Sequence, residues 1–174
     1  MDFFVEQLIK EQRGGRYFLS VLGLTFAALV IITFAVMCLP GISILVAMGI
    51  AWGWFWATRM LITEYEYCVT NGDIDIDRIR GRSKRLRLVS VRGEKIESLA
   101  PCKVTDDFTR YNRVVHCHSY QANAALWCFT YHSKKNGHTA VIFEPDERVL
   151  PALVEGLPYL LQRELRQKYD FSTL

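Results

Sequence analysis

The chain lacks charge over one long stretch. Residues 17–58 contain no Asp, Glu, Lys, Arg or His, so water is an unfavourable surrounding for them. Only Leu39-Pro40-Gly41 interrupts the apolar run, leaving one arm at 17–39 and another at 42–58. At about 1.5 Å of rise per residue, the first arm spans a bilayer core of about 30 Å with some tilt, and the second just does so. The sequence therefore predicts a transmembrane helical hairpin within residues 17–62.

A disulfide pattern is also missing. The five cysteines are odd in number, have no CxxC pair and follow no regular spacing, which favours reduced thiols in a cytoplasmic domain over a secreted framework. The first arm is longer than the usual 7 to 15 apolar residues of a signal peptide, and no A-x-A-type site follows it. A retained helix is the better interpretation.

Catalytic motifs are missing as well. There is no G-x-S-x-G, no phosphate-cradling glycine loop and no H-E-x-x-H. Asp106 and Asp107 with Arg110 and His116 form a conceivable acid/base site, but loops commonly carry such residues. The absence of ionisable side chains in either arm argues against a transporter or channel. We expect no enzyme activity, no cofactor and no metal, and we interpret the hairpin as an anchor.

Basic residues flank the two arms on one side. Lys10, Arg13 and Arg16 precede the first arm and Arg59 follows the second, whereas the connecting loop has none. The positive-inside rule then predicts a multi-pass protein of the cell (inner) membrane, with both termini and the soluble domain cytoplasmic. Three tryptophans near the cytoplasmic end of the second arm are typical interfacial anchors: Trp52, Trp54 and Trp56.

Small residues recur four positions apart in both arms. Gly23 with Ala27, and Gly49 with Gly53, form small-xxx-small pairs that allow close helix packing. The partner is either the other arm or a second copy of the chain, so a homo-oligomer stays open. The tight turn between the arms favours packing within the hairpin.

The segment before the arms, residues 1–16, shows helical spacing. Phe4, Val5, Leu8 and Ile9 form one apolar stripe before Gly14-Gly15. This pattern predicts either a short amphipathic helix in the inner interface or a solvated extension of the first transmembrane helix.

After Arg59 the apolar period changes to two. We expect seven antiparallel strands over residues 63–158, with Asn71-Gly72 as the clearest hairpin turn. The first four strands form a meander that ends at Ala100-Pro101. Pro145-Asp146 then begins an amphipathic helix, with Asp146 as its N-cap. Its apolar face is predicted at Val149, Leu150, Leu153, Val154 and Leu157. Pro151, Gly156 and Pro158 predict a break near 156–158, followed by a helical tail at 159–174 whose last residues fray.

Seven antiparallel strands followed by one helix is the order of a pleckstrin-homology (PH)-like barrel. The chain resembles uncharacterised bacterial membrane proteins with a transmembrane hairpin and a cytoplasmic PH-like domain. The resemblance is carried by the start MDFFVEQLIKEQRGG, by EYEYCVTNGDIDIDRIRGRSKRLRL and by FEPDERVL. It implies an α+β membrane protein with a seven-stranded antiparallel PH-like barrel or sandwich and a C-terminal helix. Such families offer no catalytic motif to transfer.

The most informative charged feature lies between Arg78 and Arg92, where seven basic residues occur without an acidic one. We predict a contact face for anionic lipid head groups or a membrane protein partner, because each Lys or Arg near an anionic leaflet gains about 1 kcal/mol. The alternative is a solvated face partly neutralised by Asp73, Asp75 and Asp77. The tether and the modest net charge argue against nucleic acid. The predicted contact residues are Arg80, Arg82, Lys84, Arg85 and Arg87.

Two rival functions remain. One is a small metal-dependent enzyme that uses histidines and a cysteine of strands five and six, although their spacing matches no recognised zinc site. Its residues are His116, His118, Cys128 and His132. The other is an accessory subunit of a larger membrane complex. The main prediction is a membrane-anchored binding or scaffolding module, made of the anchor and residues 63–158.

Overall fold

We describe the protein from a computed structural model, which covers residues 3–12, 14–38 and 41–169. In these residues the chain begins with a strand, β1 (Phe4–Lys10), and continues with two helices, α1 (Gly15–Cys38) and α2 (Ser43–Met60). Strand β2 (Thr63–Thr70) follows. The helical hairpin is therefore inserted between the first two strands of the β-domain.

Strand β1 corrects the prediction for the N-terminal segment. It pairs antiparallel with β2 from Phe4 opposite Thr70 to Lys10 opposite Glu64, so both helical interpretations of residues 1–16 are wrong. Ile9 is buried while Leu8 is exposed, which is the alternation of a strand. The apolar spacing fits either element over so few residues, and the hydrogen bonds offered by β2 decide between them. Met1, Asp2 and Arg13 lie outside the described residues.

The first sheet has the order β1-β2-β3-β4, with β3 (Asp73–Arg80) and β4 (Lys84–Val91), and every pair is antiparallel. The predicted Asn71-Gly72 turn is confirmed. Both residues have positive φ, 51° and 84°, a conformation that Asn and Gly adopt more readily than other residues. One face of this sheet carries Tyr67, Val69, Ile74 and Ile76, all fully buried.

The second sheet corrects the predicted topology. A short 3₁₀ turn (Gly93–Lys95) leads into β5 (Ile96–Pro101), followed by β6 (Arg113–Cys117), β7 (Trp127–Ser133) and β8 (Gly137–Phe143). The order is β5-β7-β8-β6, and β6 runs parallel to β8. The described residues thus form two four-stranded sheets, rather than one seven-stranded antiparallel barrel. The β6–β7 connection carries the chain to the far side of β8, so that β6 and β8 run in the same direction.

Two short helices complete the domain. Helix α3 (Val149–Glu155) buries its predicted apolar face against the sheets, and α4 (Tyr159–Lys168) follows after a break. The Asp146 carboxylate accepts the backbone N–H groups of Arg148 and Val149, at 2.9 and 2.8 Å. Asp146 therefore stabilises the turn that leads into α3, whereas the N-cap residue itself is Arg148, two positions later than predicted. The break predicted near 156–158 is also confirmed. Residues 170–174, including the predicted frayed end, lie outside the described residues.

A buried tyrosine connects the two sheets. The Tyr67 hydroxyl donates to the carbonyl oxygen of Cys117 and accepts the backbone N–H of Glu144 at 3.2 Å. Its ring packs edge-to-face on Phe143. Burial raises the pKa of Tyr67 well above its ordinary value, so the hydroxyl keeps the proton that it donates.

Three glycines meet where the β2–β3 turn reaches the end of α3. A Cβ on Gly156 would lie 2.3 Å from the Cα of Gly72, and a Cβ on Gly93 would lie 2.5 Å from the Gly156 carbonyl oxygen. The obstructing atoms are backbone, which cannot rotate away. This close approach locks the turn to the helix.

Among the described residues, one helix is long and apolar enough to cross a membrane, at Tyr17–Cys38. Helix α2 carries three tryptophans and Arg59, so the second predicted span is not established by composition. The two helices pack on each other, and the Trp54 Nε1–H donates to Thr25 Oγ1 at 3.1 Å.

The glycine contact makes a stability prediction. We expect Gly156→Ala to lower the free energy of unfolding by about 3 kcal/mol, because the added methyl group must displace backbone atoms. Gly23→Ala is the matched control, since a Cβ at Gly23 meets no atom within 4 Å. Denaturant unfolding of the full chain in detergent micelles measures both variants. Equal midpoints for the two would contradict the close contact.

Candidate functional site

The predicted basic residues lie at the end of the domain that adjoins the helices. Arg80 and Lys84 face each other across the β3–β4 turn. The Gly81 N–H of this turn donates to the Ile62 carbonyl oxygen at 2.9 Å, just beyond the end of α2. Gly81 and Arg82 both have left-handed backbones, with φ of 58° and 60°. We call residues 80–84 the basic turn, and the Gly81–Ile62 hydrogen bond fixes it beside α2.

Two of the predicted contact residues lie against acids on the outer face of the first sheet. Arg85 Nη2 lies 2.7 Å from Glu66 Oε2, and Arg87 Nε lies 2.5 Å from Asp77 Oδ1. Arg87 also reaches Asp75, at 2.8 Å. Glu66 and Asp77 are only 6% and 5% exposed, so each guanidinium neutralises a largely buried carboxylate.

The protonation equilibria reflect these contacts. The hydrogen bond to Asp77 raises the pKa of Arg87. Burial, together with a hydrogen bond to Glu6, raises the pKa of Glu66, although Arg85 opposes the shift. The outer face is thus a network in which acids and bases compensate each other. Of the three aspartates considered from the sequence, Asp75 and Asp77 take part, whereas Asp73 accepts the Gly93 N–H.

The remaining cations extend away from this network. Arg80, Arg82 and Lys84 are exposed, and Arg82 makes a long ion pair of 3.9 Å with Glu64. Sequence reasoning missed Glu64 and Glu66 as partners of the arginines. The available signal was the acidic alternation on β2 and β3 beside the basic alternation on β4, because outward residues at matching register face each other.

The predicted membrane anchors occupy different surroundings. Trp52 and Trp56 are exposed on α2, at 72% and 55%, whereas Trp54 is half-buried against α1 through its bond to Thr25. The Arg59 guanidinium lies over the Phe55 ring at 5.2 Å. Trp52 and Trp56 therefore have exposed rings, whereas Trp54 joins the two helices.

The small-residue pairs are not used as expected. A Cβ built on Gly23, Gly49 or Gly53 would meet no atom within 4 Å, and Ala27 is exposed. Close packing of these residues within the hairpin is therefore wrong. The helices are held instead by larger side chains, such as Trp54, whose bulk keeps the glycine faces from closest approach.

The histidines and the cysteine proposed for a metal site lie apart on the second sheet. The centroids of the His116 and His118 rings are 5.9 Å apart, and the His132 ring instead contacts the His138 ring, with 4.8 Å between centroids. The Cys128 thiol is hydrogen-bonded to the Cys102 thiol. Burial lowers the pKa of His116 and His118. Within residues 3–12, 14–38 and 41–169, no group of three or more His, Cys, Asp or Glu is placed to hold a metal ion. All five cysteines carry free thiols.

The conceivable acid/base loop has local structural roles. Asp106 accepts the Lys103 N–H at 2.7 Å and Asp107 accepts the Thr109 N–H at 2.9 Å. These are the side-chain-to-backbone bonds by which aspartates commonly shape turns. The carboxylates therefore hold the loop conformation.

The outer-face network predicts a division of roles among the basic residues. We expect Arg87→Ala to destabilise the full chain by about 2 kcal/mol, because it leaves the buried Asp77 carboxylate poorly compensated. Lys84→Ala is the matched control and is expected to change stability by less than about 0.5 kcal/mol. Denaturant unfolding in micelles compares them. Equal stability of Arg87→Ala and the unmodified chain would contradict a structural role for Arg87.

Comparison with known proteins agrees with this architecture. The model of one protein family, described as a bacterial PH-like domain (DUF6106), matches residues 1–160. No curated protein and no solved structure matches the chain. The family match includes β1, both helices, the two sheets and α3. The chain therefore belongs to the bacterial PH-like domain family DUF6106.

Proposed function

We propose that this protein is a membrane-anchored binding or scaffolding module. In this proposal, α1 and α2 form a two-pass anchor and the PH-like domain lies at the cytoplasmic face of the membrane. The basic turn contacts anionic lipid head groups there. The observation that carries the proposal is the hydrogen bond from Gly81 to Ile62, which holds the basic turn next to the end of an anchor helix.

The pairing of β1 with β2 supports two crossings. Lys10 lies opposite Glu64, and the Glu11 N–H donates to the Thr63 carbonyl oxygen at 3.0 Å. The two ends of the helical hairpin therefore lie side by side. If α1 crosses the membrane, the chain must cross again before Thr63, and α2 is the helix available for the return. At about 1.5 Å per residue, its 18 residues reach about 27 Å.

Strand β1 also argues against the alternative that α1 is a cleaved signal peptide. A signal peptidase acting after α1 would remove β1 from the domain. That would leave the backbone N–H and C=O groups of β2 that pair with β1 without partners, from Glu64 to Thr70. Retention of α1 is therefore required for the sheet as it stands.

Charge distribution supports the cytoplasmic orientation. In the sequence, four basic residues flank the apolar run at its two ends, where it joins the β-domain. They are Lys10, Arg13, Arg16 and Arg59. Positive residues are retained on the cytoplasmic side of membrane helices. The same side of the bilayer carries the anionic surface potential that attracts Lys and Arg.

Only some of the basic residues predicted to contact lipid keep a charge that the sheet does not compensate. Arg85 and Arg87 neutralise buried acids, so their charge is largely compensated within the sheet. Arg80, Arg82 and Lys84 project from the end of the domain nearest the helices, where each gains about 1 kcal/mol from an anionic surface. A protein partner at the same face is the alternative occupant, and a role as a complex subunit is compatible with it.

The lipid contact predicts a change in backbone hydrogen exchange. In nanodiscs of the full chain, adding phosphatidylglycerol to phosphatidylcholine is expected to slow exchange in residues 80–84 by at least about threefold, since three cations supply about 3 kcal/mol of attraction. The double variant Arg80→Ala/Lys84→Ala is expected to lose most of this slowing, because only Arg82 remains.

The matched control is Lys134→Ala/Lys135→Ala, which removes two exposed cations from the turn between β7 and β8. That turn lies near Asn71, at the opposite end of the domain from the helices. The control should keep the slowing in full. Identical exchange of the basic turn with and without phosphatidylglycerol would remove the lipid proposal and favour a protein partner.

The two-pass topology predicts where one cysteine is accessible. Cys38 is exposed at the far end of α1, and 24 residues at about 1.5 Å reach about 36 Å, beyond a core of about 30 Å. A membrane-impermeant maleimide is expected to label Cys38 in intact spheroplasts. Cys38→Ser should abolish that labelling. If Cys38 reacts only in inside-out vesicles, the proposed orientation is wrong.

A further inference from the structure

A pocket of about 440 Å³ opens where the helical hairpin joins the β-domain. Its walls come from the end of β1, the start of α1, the segment that leads from α2 into β2, and the basic turn. The volume lies within the range of about 300–1,000 Å³ that is common for small-molecule sites. The lining residues used below are Lys10, Glu11, Glu64, Arg82 and Tyr120.

The position of the pocket restricts its occupant. Gly14 and Gly15 border it just before α1, and Leu61 and Ile62 border it just after α2. If the two helices cross the bilayer as proposed, these segments lie at the level of the lipid head groups. The pocket then opens directly onto the inner leaflet.

A buried carboxylate lines this pocket. Glu64 is only 5% exposed, and in the described part of the chain its nearest cationic group is Arg82 Nε, at 3.9 Å. That distance is too long for a hydrogen bond. Among the described residues, no hydrogen-bond donor reaches the Glu64 carboxylate, and Glu64 lines the open pocket, so its oxygens can accept hydrogen bonds from a ligand. Glu11 adds a second carboxylate to the same walls.

Positively charged side chains line the pocket as well. Lys10 and Arg82 line the pocket together with the two acids. Tyr120 adds an aromatic side chain to the pocket wall, and its ring centroid lies 4.1 Å from that of His118, a residue that is 1% exposed. A ligand that carries only negative charge would face the buried Glu64 carboxylate. A ligand with one anionic and one cationic group matches both pairs.

We propose that this pocket binds the phosphoethanolamine head group of a phospholipid. The primary ammonium donates to the Glu64 and Glu11 carboxylates, and the phosphate lies against Lys10 and Arg82. A quaternary trimethylammonium has no N–H to donate, so the pocket discriminates against choline head groups. The proposal rests on the membrane anchoring proposed above, but its ligand is distinct from the anionic lipid that contacts the basic turn.

Lipid retention measured by native mass spectrometry tests the proposal. The full chain in detergent micelles is offered phosphatidylethanolamine and phosphatidylcholine in equal amounts. Hydrogen bonds to a charged group are worth about 1.5–3 kcal/mol, so we expect at least about a tenfold preference for phosphatidylethanolamine. Glu64→Gln is expected to reduce that preference to about twofold or less, because the charge and part of the accepting capacity are lost.

Glu94→Gln is the matched control, since Glu94 is exposed on the 3₁₀ turn and pairs with Arg92; it should keep the full preference. Glu11→Gln serves as a second pocket variant, so that a folding defect of Glu64→Gln does not decide the result. Soluble O-phosphoethanolamine is added in competition. Displacement of the lipid at matched concentrations identifies the free compound as a ligand too, whereas displacement only in large excess identifies the lipid as the preferred source.

Equal retention of the two lipids by the unmodified chain would overturn the proposal, as would a preference that survives both pocket variants. Neither result would affect the slowing of exchange in the basic turn by phosphatidylglycerol, which depends on Arg80 and Lys84. Conversely, loss of that slowing with a retained ethanolamine preference would remove the basic-turn proposal and leave the pocket in place. The two experiments therefore test the basic-turn proposal and the pocket proposal independently.

Discussion

The antiparallel pairing of β1 with β2 is the constraint on which the rest of this structure depends. The two strands are separated in sequence by the whole helical hairpin, yet they register from Phe4 opposite Thr70 to Lys10 opposite Glu64. The cost of closing this loop is recovered by seven ladder positions and by the burial of Ile9 on the inner face. The helical hairpin therefore begins and ends at neighbouring strands of the β-domain. The domain cannot complete its first sheet until α2 has been synthesised, and a fragment starting at β2 lacks an edge strand of that sheet.

The pairing of β1 with β2 also affects which charged side chains meet on the outer face of the first sheet. With β2 fixed beside β3, outward acids from both strands meet the outward arginines of β4, and Glu66 and Asp77 are buried under those guanidinium groups. The fold thus divides the basic stretch between Arg78 and Arg92 into two parts. Its strand portion balances buried carboxylates, and its turn portion is held beside α2 by the Gly81 N–H bond to Ile62. Positive charge that this network does not compensate then remains in the basic turn. The pocket beside it combines both signs of charge, because Lys10 and Glu64 come from the paired strands themselves.

Several elements followed from local chemistry and needed no partner. The Asn71-Gly72 turn was predictable because its positive φ values favour those two residues. A helix start close to Asp146, the apolar face of α3 and the break before Tyr159 were predictable for similar reasons. The N-terminal segment was not, because an apolar pattern of so few residues fits a helix and a strand equally well. The parallel placement of β6 beside β8 was also not predictable, since strand order depends on how long connections cross the sheet.

The sequence by itself determined that an uncharged pair of apolar arms is joined to a β-rich domain, since hydropathy and strand periodicity are local properties of the chain. It also determined that positive charge is concentrated between Arg78 and Arg92. Only the tertiary structure decided that the arms interrupt the domain between its first two strands, and which cations are neutralised. Only it brought Glu64 and Arg82 into one pocket with Tyr120. The physical reason is that register and burial are set by pairing between distant segments, whereas residue patterns report only what each segment can do alone.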